Sequence, residues 1–206
     1  VQNEKRQRVD NNPYGHTGWV IDKAIYPEGH PYNWQVIGEL VDLQSATVAD
    51  VRAFYEKFYG PNNATLVLVG DFETDQAKAM IEKYFGEVKR GQEVPKLSPM
   101  RTTLEQSKRL YHEDNFATTA QLNMVWPTLE QYTDDAYALN VLAELISRGK
   151  NAPLYKVLEK EEGLSSSYYS FNRSAELAGV FRISVTANDG KSLKDVEIGV
   201  NEAFAL

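Results

Sequence analysis

The sequence predicts an α+β protein built on an antiparallel sheet, and three features of its second half predict it. Residues 118–126 alternate Leu122, Met124 and Trp126 on one side of an extended segment before Pro127 stops it. Two further strand-like runs, Ser166–Asn172 and Gly179–Ala187, follow each other with only a polar turn between them. Between these strands lie two consecutive helical patterns, Asp134–Ile146 and Ala152–Glu162, separated by the turn Ser147-Arg148-Gly149-Lys150-Asn151 and closed by Gly163. With a further strand expected over Thr103–Glu113 and a last helix over Ser192–Phe204, the order is β-β-α-α-β-β-α. Strands in adjacent pairs pair antiparallel.

The first half reads as follows. Residues 1–26 carry the charged run Asn3-Glu4-Lys5-Arg6-Gln7-Arg8 and the periodic run Trp19–Tyr26 and read as helix throughout, with Pro13-Tyr14-Gly15 a point where it could break. Residues 27–34, Pro-Glu-Gly-His-Pro-Tyr-Asn-Trp, form a loop. Thr47 is an N-cap with Asp50 in the capping-box position, and Val51, Phe54, Tyr55 and Phe58 recur at helical spacing until Gly60-Pro61. The apolar, β-branched-rich run Ala64–Gly70 predicts a buried strand. Asp71–Phe85 predicts an amphipathic helix closed by Gly86. Tyr55, Phe58, Tyr59, Tyr84 and Phe85 are expected in the core. Residues 88–99 gather Gly91, Pro95, Ser98 and Pro99 among charges, as an interdomain linker would.

Composition narrows the function classes. The 206 residues are 42% hydrophobic and 25% charged, as in a folded globular protein, and the net charge of −7 disfavours nucleic-acid or anionic-membrane binding. No apolar run approaches the roughly 20 residues that span a bilayer. Cysteine is absent, which removes disulfides, thiolate metal sites and a thiol nucleophile. The chain opens at Val1 inside a charged helix and stops at Leu206 in mid-pattern, so both ends read as cut. Only His16, His30 and His112 occur, and no two are four apart, so neither H-E-x-x-H nor H-x-x-E-H is present. G-x-S-x-G, the P-loop and G-x-G-x-x-G are absent too. Ser165-Ser166-Ser167 reads as a strand entrance, and His112 as a strand-surface residue. Asn63-Ala64-Thr65 and Asn172-Arg173-Ser174 fit the short glycosylation pattern and carry little weight. Residue chemistry alone defines a fold class and no active site.

Three stretches carry a resemblance. They are Asn3–Gly15, Gly29-His30-Pro31-Tyr32, and the run from Phe54-Tyr55 through Pro61-Asn62-Asn63-Ala64-Thr65 to Gly70-Asp71-Phe72. Leu154-Tyr155, Leu158, Glu162-Gly163-Leu164 and Leu177-Ala178-Gly179 continue it in the same order. The chain resembles the pitrilysin/insulinase/mitochondrial processing peptidase family of zinc metallopeptidases over nearly its whole length.

The resemblance implies two related α+β domains around a peptide-sized chamber. Residues 1–90 would be the C-terminal part of the zinc-binding domain, and 91–206 a second, non-catalytic domain truncated at its end. An H-x-x-E-H motif would lie upstream, leaving no catalytic residue in this chain. Glu4 falls on the third zinc ligand. Read by itself, Glu4 is a solvated carboxylate beside Lys5, Arg6 and Arg8. Zn2+ is implied for the parent protein and none is expected on this chain. Implied partners are peptide substrates, the remaining domains of the same polypeptide or a paralogous subunit, in a periplasmic or cell-envelope setting. His30 is expected to form the loop rather than bind metal. The family's substrate-orienting Arg and Tyr fall on Glu159 and Ser166, with Lys160 or Tyr168 as substitutes if the alignment slips. That departure opens a second reading, a non-catalytic scaffold or partner subunit. Duplicated halves would make Asp71–Gly86 and Ser192–Phe204 equivalent helices, and would leave Thr65–Val69 with an unpaired edge.

Overall fold

The computed structural model describes residues 1–206. Along the chain lie α1 (Gln2–Lys5), prolonged by the wider-wound turns Arg6–Asp10, α2 (Thr17–Ile25), α3 (Leu40–Ser45), α4 (Val48–Phe58) and α5 (Thr74–Phe85). Then come β1 (Gln121–Thr128), α6 (Asp134–Ser147), the wider-wound helix Tyr155–Glu161, β2 (Ser167–Ser174), β3 (Gly179–Thr186) and α7 (Leu193–Ala203). Helices plus an antiparallel sheet confirm the α+β class.

The chain divides into two compact units, Val1–Glu39 with Ser98–Leu206, and Leu40–Leu97. Residues 1–39 pack with the sheet-bearing second half.

In the first unit the sheet order is β1-β3-β2, all antiparallel, with Leu122 opposite Val185 and Tyr168 opposite the same valine. The central strand is the most buried, because both its faces are covered. On one face Phe181, Ile183 and Val185 join Leu154, Val157, Leu158, Leu164, Val196 and Val200 in the main core. The side chains of Leu122 and Met124 enter it from β1, as their alternation requires. Gly199 sits inside α7, where glycine costs roughly 1 kcal/mol against alanine. A Cβ there would lie 2.7 Å from Leu164 Cδ1, so close packing accounts for it. Ser192 caps α7 by accepting from the Asp195 amide at 3.1 Å.

On the opposite face Ile25, Tyr26 and Ala178 pack with Ile21, Tyr32, Val125 and Val180, seating the end of α2 on the sheet. His30 fastens this loop. Its ring is buried and stacked on Tyr26 with centroids 4.6 Å apart. The Tyr32 amide donates to Nδ1 at 3.0 Å, and Nε2 lies 2.8 Å from the Met100 carbonyl. An amide can only donate and a carbonyl only accept, so the proton is on Nε2 and both nitrogens are engaged. His30 forms the loop, as its sequence setting implied.

Two expected strands are absent. Residues 103–113 have no ladder. Lys108 Nζ instead donates to the Ala24 carbonyl at 2.7 Å, and Arg109 forks onto Glu197 at 2.9 and 2.5 Å. His112 therefore lies on irregular chain, not a strand surface.

The second missing strand belongs to the Leu40–Leu97 unit. The capping box of α4 forms as read: the Thr47 hydroxyl accepts from the Asp50 amide, and the Asp50 carboxylate accepts from the Thr47 amide at 2.8 Å. The Ala64–Gly70 run, however, is neither strand nor buried: Val67 is 73% and Val69 93% exposed. A strand exists only through a partner's N–H and C=O groups, and this unit contains no other strand. Tyr55, Tyr59, Tyr84 and Phe85 are likewise exposed rather than core, and Phe58 is half-buried, because these amphipathic helices have no sheet to pack on here. Asn62 ties the unit's loops, its Oδ1 accepting from the Gly91 amide at 2.7 Å.

Candidate functional site

Glu4 stands on α1 with its carboxylate exposed, and Arg8 Nη1 approaches it at 3.2 Å. Its neighbour Lys5 is buried and donates to the Gly38 carbonyl at 2.9 Å, anchoring the helix that carries Glu4. No set of three or more His, Cys, Asp or Glu side chains converges, as placed, on one metal position. Zinc needs three or four donors, and the region of Glu4 supplies one carboxylate. The chain alone therefore does not fit the zinc centre of a peptidase, and no catalytic step is routed through it.

Of the residues at the positions the resemblance gives to the family's Arg and Tyr, Glu159 lies in the Tyr155–Glu161 helix and Ser166 directly before β2. Ser166 donates from its amide and hydroxyl to Asn188 Oδ1, each at 3.2 Å. Glu159 accepts from the Tyr168 hydroxyl at 3.0 Å, and Lys160 takes no side-chain hydrogen bond there. Burial, then the hydrogen bond and charge of Glu159, push the Tyr168 phenol up to about 12. The structure thus joins Glu159 to Tyr168, an acceptor to a donor, where a forked cation was the family pattern. Stability from this pair is complete below the ordinary tyrosine range near 10 and fades as pH rises through about 12. Glu159→Gln should lower the Tyr168 pKa, read by NMR of ring-labelled tyrosine. An unchanged titration would refute the contact.

Elsewhere, Thr102 Oγ1 is buried without a hydrogen-bond partner. Arg182, on the sheet face beneath α2, donates to Asn123 Oδ1 from Nε at 3.0 Å and Nη2 at 2.7 Å. Burial pushes the nearby Asp22 carboxyl up, against the hydrogen bond from Gln35 at 2.6 Å. A cleft of about 630 Å³ beside the end of α2 is lined by Lys23, Arg101 and Lys108. Their charges are occupied by the Asn33 amide oxygen, the Glu130 carboxylate and the Ala24 carbonyl. Sequence reasoning missed Tyr14, whose hydroxyl donates to the Thr119 carbonyl at 2.7 Å, and Asp114, which accepts the Tyr14 amide at 2.8 Å. Asn-Pro-Tyr-Gly signals a turn, but nothing local signals a partner 100 residues away.

The protein is an α+β module with helices packed on a three-stranded antiparallel sheet. The family described as "Peptidase M16 inactive domain" matches residues 45–205, and the chain belongs to it. The match starts well upstream of residue 91. Among curated relatives, "Zinc protease PqqE" of Helicobacter pylori is 28% identical over 189 residues, covering 88% of this chain and 41% of that protein. "Probable inactive metalloprotease YmfF" of Bacillus subtilis is 25% identical over 154 residues, 74% of this chain and 35% of that protein. The fold resembles the crystal structure of a protease from Helicobacter pylori, with a TM-score of 0.82 at 24% identity, covering 97% of this chain and 48% of that one. The chain thus spans less than half the length of these relatives.

Proposed function

We propose that this chain is part of a zinc-dependent metalloendopeptidase that hydrolyses peptides or unfolded protein segments. In it, residues 1–90 close the zinc-binding domain and residues 91–206 form most of the following non-catalytic one. The observation that carries the reading is the family match over residues 45–205, alongside relatives of twice the length named as zinc proteases. The exposed apolar surface of residues 54–85 supports it, since other domains of the same polypeptide would cover that surface. Within the longer protein Glu4 is the third zinc ligand, and this second domain encloses substrate without touching the chemistry. The setting we propose is the periplasm or cell envelope.

The test is zinc content. The longer protein should bind one zinc per active site, and Glu4→Gln should lose metal and activity together, because a neutral amide is a much poorer ligand than a carboxylate. Full zinc and full rate in the variant would remove Glu4 from the site. A second reading, a non-catalytic scaffold or partner subunit, is favoured by Glu159 and Ser166 and by the relative named inactive. A longer protein that carries no H-x-x-E-H and no zinc would establish it.

A further inference from the structure

On the sheet face that receives α2, strand register sets the side chains in rows. Val125, Arg182 and Phe171 share one row, and Asn123, Ser184 and Tyr169 share the next. Ile21, Ile25 and Tyr26 pack against Val125 and Val180. Beside that contact the face carries a cation and two aromatic rings. Arg182 and Phe171 are half-buried, and Tyr169 is 45% exposed.

Arg182 is held in place but not neutralised. Its Nε and Nη2 donate to Asn123 Oδ1 at 3.0 and 2.7 Å, and the same oxygen accepts from the Ser184 hydroxyl at 2.8 Å. These bonds use two of the five guanidinium N–H groups and fix the plane of the fork. The guanidinium carbon stands 5.9 Å from the centre of the Phe171 ring, and the Phe171 and Tyr169 rings stack at 6.0 Å. Arg173, exposed on the same face, is diagonal to Arg182 across the β2–β3 ladder, with Cβ atoms roughly 7–8 Å apart. Neither arginine forms an ion pair. Asp22 acts on both only through space, and its carboxylate is engaged by the Gln35 amide at 2.6 Å. Burial pushes the Arg182 guanidinium down from its ordinary range. A half-buried cation with no anion in contact is costly, and an arriving carboxylate offsets that cost.

We propose that Arg182 and Arg173, with the Tyr169–Phe171 stack, bind the side-chain carboxylate of an acidic residue in a peptide. The three N–H groups that Arg182 keeps free can meet two carboxylate oxygens side by side. Arg173 adds a second positive charge, and the rings offer the methylenes of a glutamate an apolar surface. The chain as a whole carries a net charge of −7 and repels acidic peptides, so the attraction is local to this face. That such a peptide is a substrate rests on the peptidase reading above, whereas its binding does not.

The experiment titrates this chain, at about pH 7 and low ionic strength, with a short peptide of Ala, Gly and Leu that carries a central Glu-Glu pair and blocked ends. The same peptide with Gln-Gln is the comparison. Calorimetry measures affinity, and NMR of arginine Nε–H groups reports Arg182 directly. The Glu peptide should bind about tenfold or more tighter than the Gln peptide and shift the Arg182 signal. Arg182→Gln should abolish that preference, and Arg182→Lys should restore only part of it, because an ammonium cannot fork. Arg173→Gln should weaken binding about threefold. Arg101→Gln should change nothing, since that charge is already engaged by Glu130. Arg173 is exposed, so its variant folds, and the Arg182 signal of the unmutated chain needs no variant at all. Equal affinity for the two peptides, a preference that survives both Arg182→Gln and Arg173→Gln, or an equal loss with Arg101→Gln overturns the proposal. A Gln peptide with a free carboxyl end that binds as tightly as the Glu peptide also overturns it, by moving recognition to a chain terminus. None of these outcomes alters the zinc content of the longer protein, so failure here and failure of the peptidase reading are told apart.

Discussion

Casein incubated with this chain and zinc should remain intact, at a rate indistinguishable from the same mixture with chelator. Peptide hydrolysis by a zinc enzyme needs a metal-bound water of lowered pKa, a base to take its proton and a cleft that orients the scissile carbonyl. Glu4 is one exposed carboxylate beside Arg8, and one carboxylate neither holds zinc nor lowers the pKa of its water to the neutral range. His30 has no free nitrogen. On the proposed function, the chain joined to the upstream residues of the longer protein should take part in an acceleration of roughly 10⁶-fold or more over water. Zinc-dependent cleavage by the chain alone, persisting after a contaminating protease is excluded, would show that the active site lies here.

What the sequence disclosed depended on where each element's partner lies. The strands at 121–128, 167–174 and 179–186, and the helices α6 and α7, formed within a residue or three of their expected limits. Every one of them finds its ladder or its apolar face inside the same unit. Alternation of Leu122 and Met124 says which side is buried, and β3 is there to bury it. The run Thr65–Val69 has an equally strong pattern and no neighbour, so its propensity produced nothing. Periodicity reports what a segment needs, not whether the need is met. Residues 103–113 failed differently. Their lysine and arginine found better partners in the α2 carboxyl end and Glu197 than a ladder offered. The wide winding of Tyr155–Glu161 has no composition signature, and the helix alone was readable. The candidate site was legible only in part. Glu4 stands out by resemblance and not by its surroundings. The clamp of Tyr14 on Asp114 joins residues 100 apart, a distance at which a single sequence has no pattern to show.

The same distinction gives the largest expected change in stability. Leu158 is fully buried in the main core, and Leu158→Ala should cost about 2–5 kcal/mol, the lost transfer energy plus the cavity left behind. Leu68 belongs to the unpaired run and is 47% exposed, so Leu68→Ala in this chain should cost about 0.5 kcal/mol or less. In the longer protein the two should converge. If other parts of the polypeptide give Leu68 a sheet to sit in, its truncation leaves a cavity of the same kind and a cost of the same order. Chemical denaturation of both variants, in this chain and in the longer protein, makes the comparison. The Leu158 variant acts as its own control for folding of the core. A Leu68→Ala cost that stays small in the longer protein would mean that residues 65–69 are exposed there too. The proposal that neighbouring domains cover this surface would then be wrong, whatever the protein's activity.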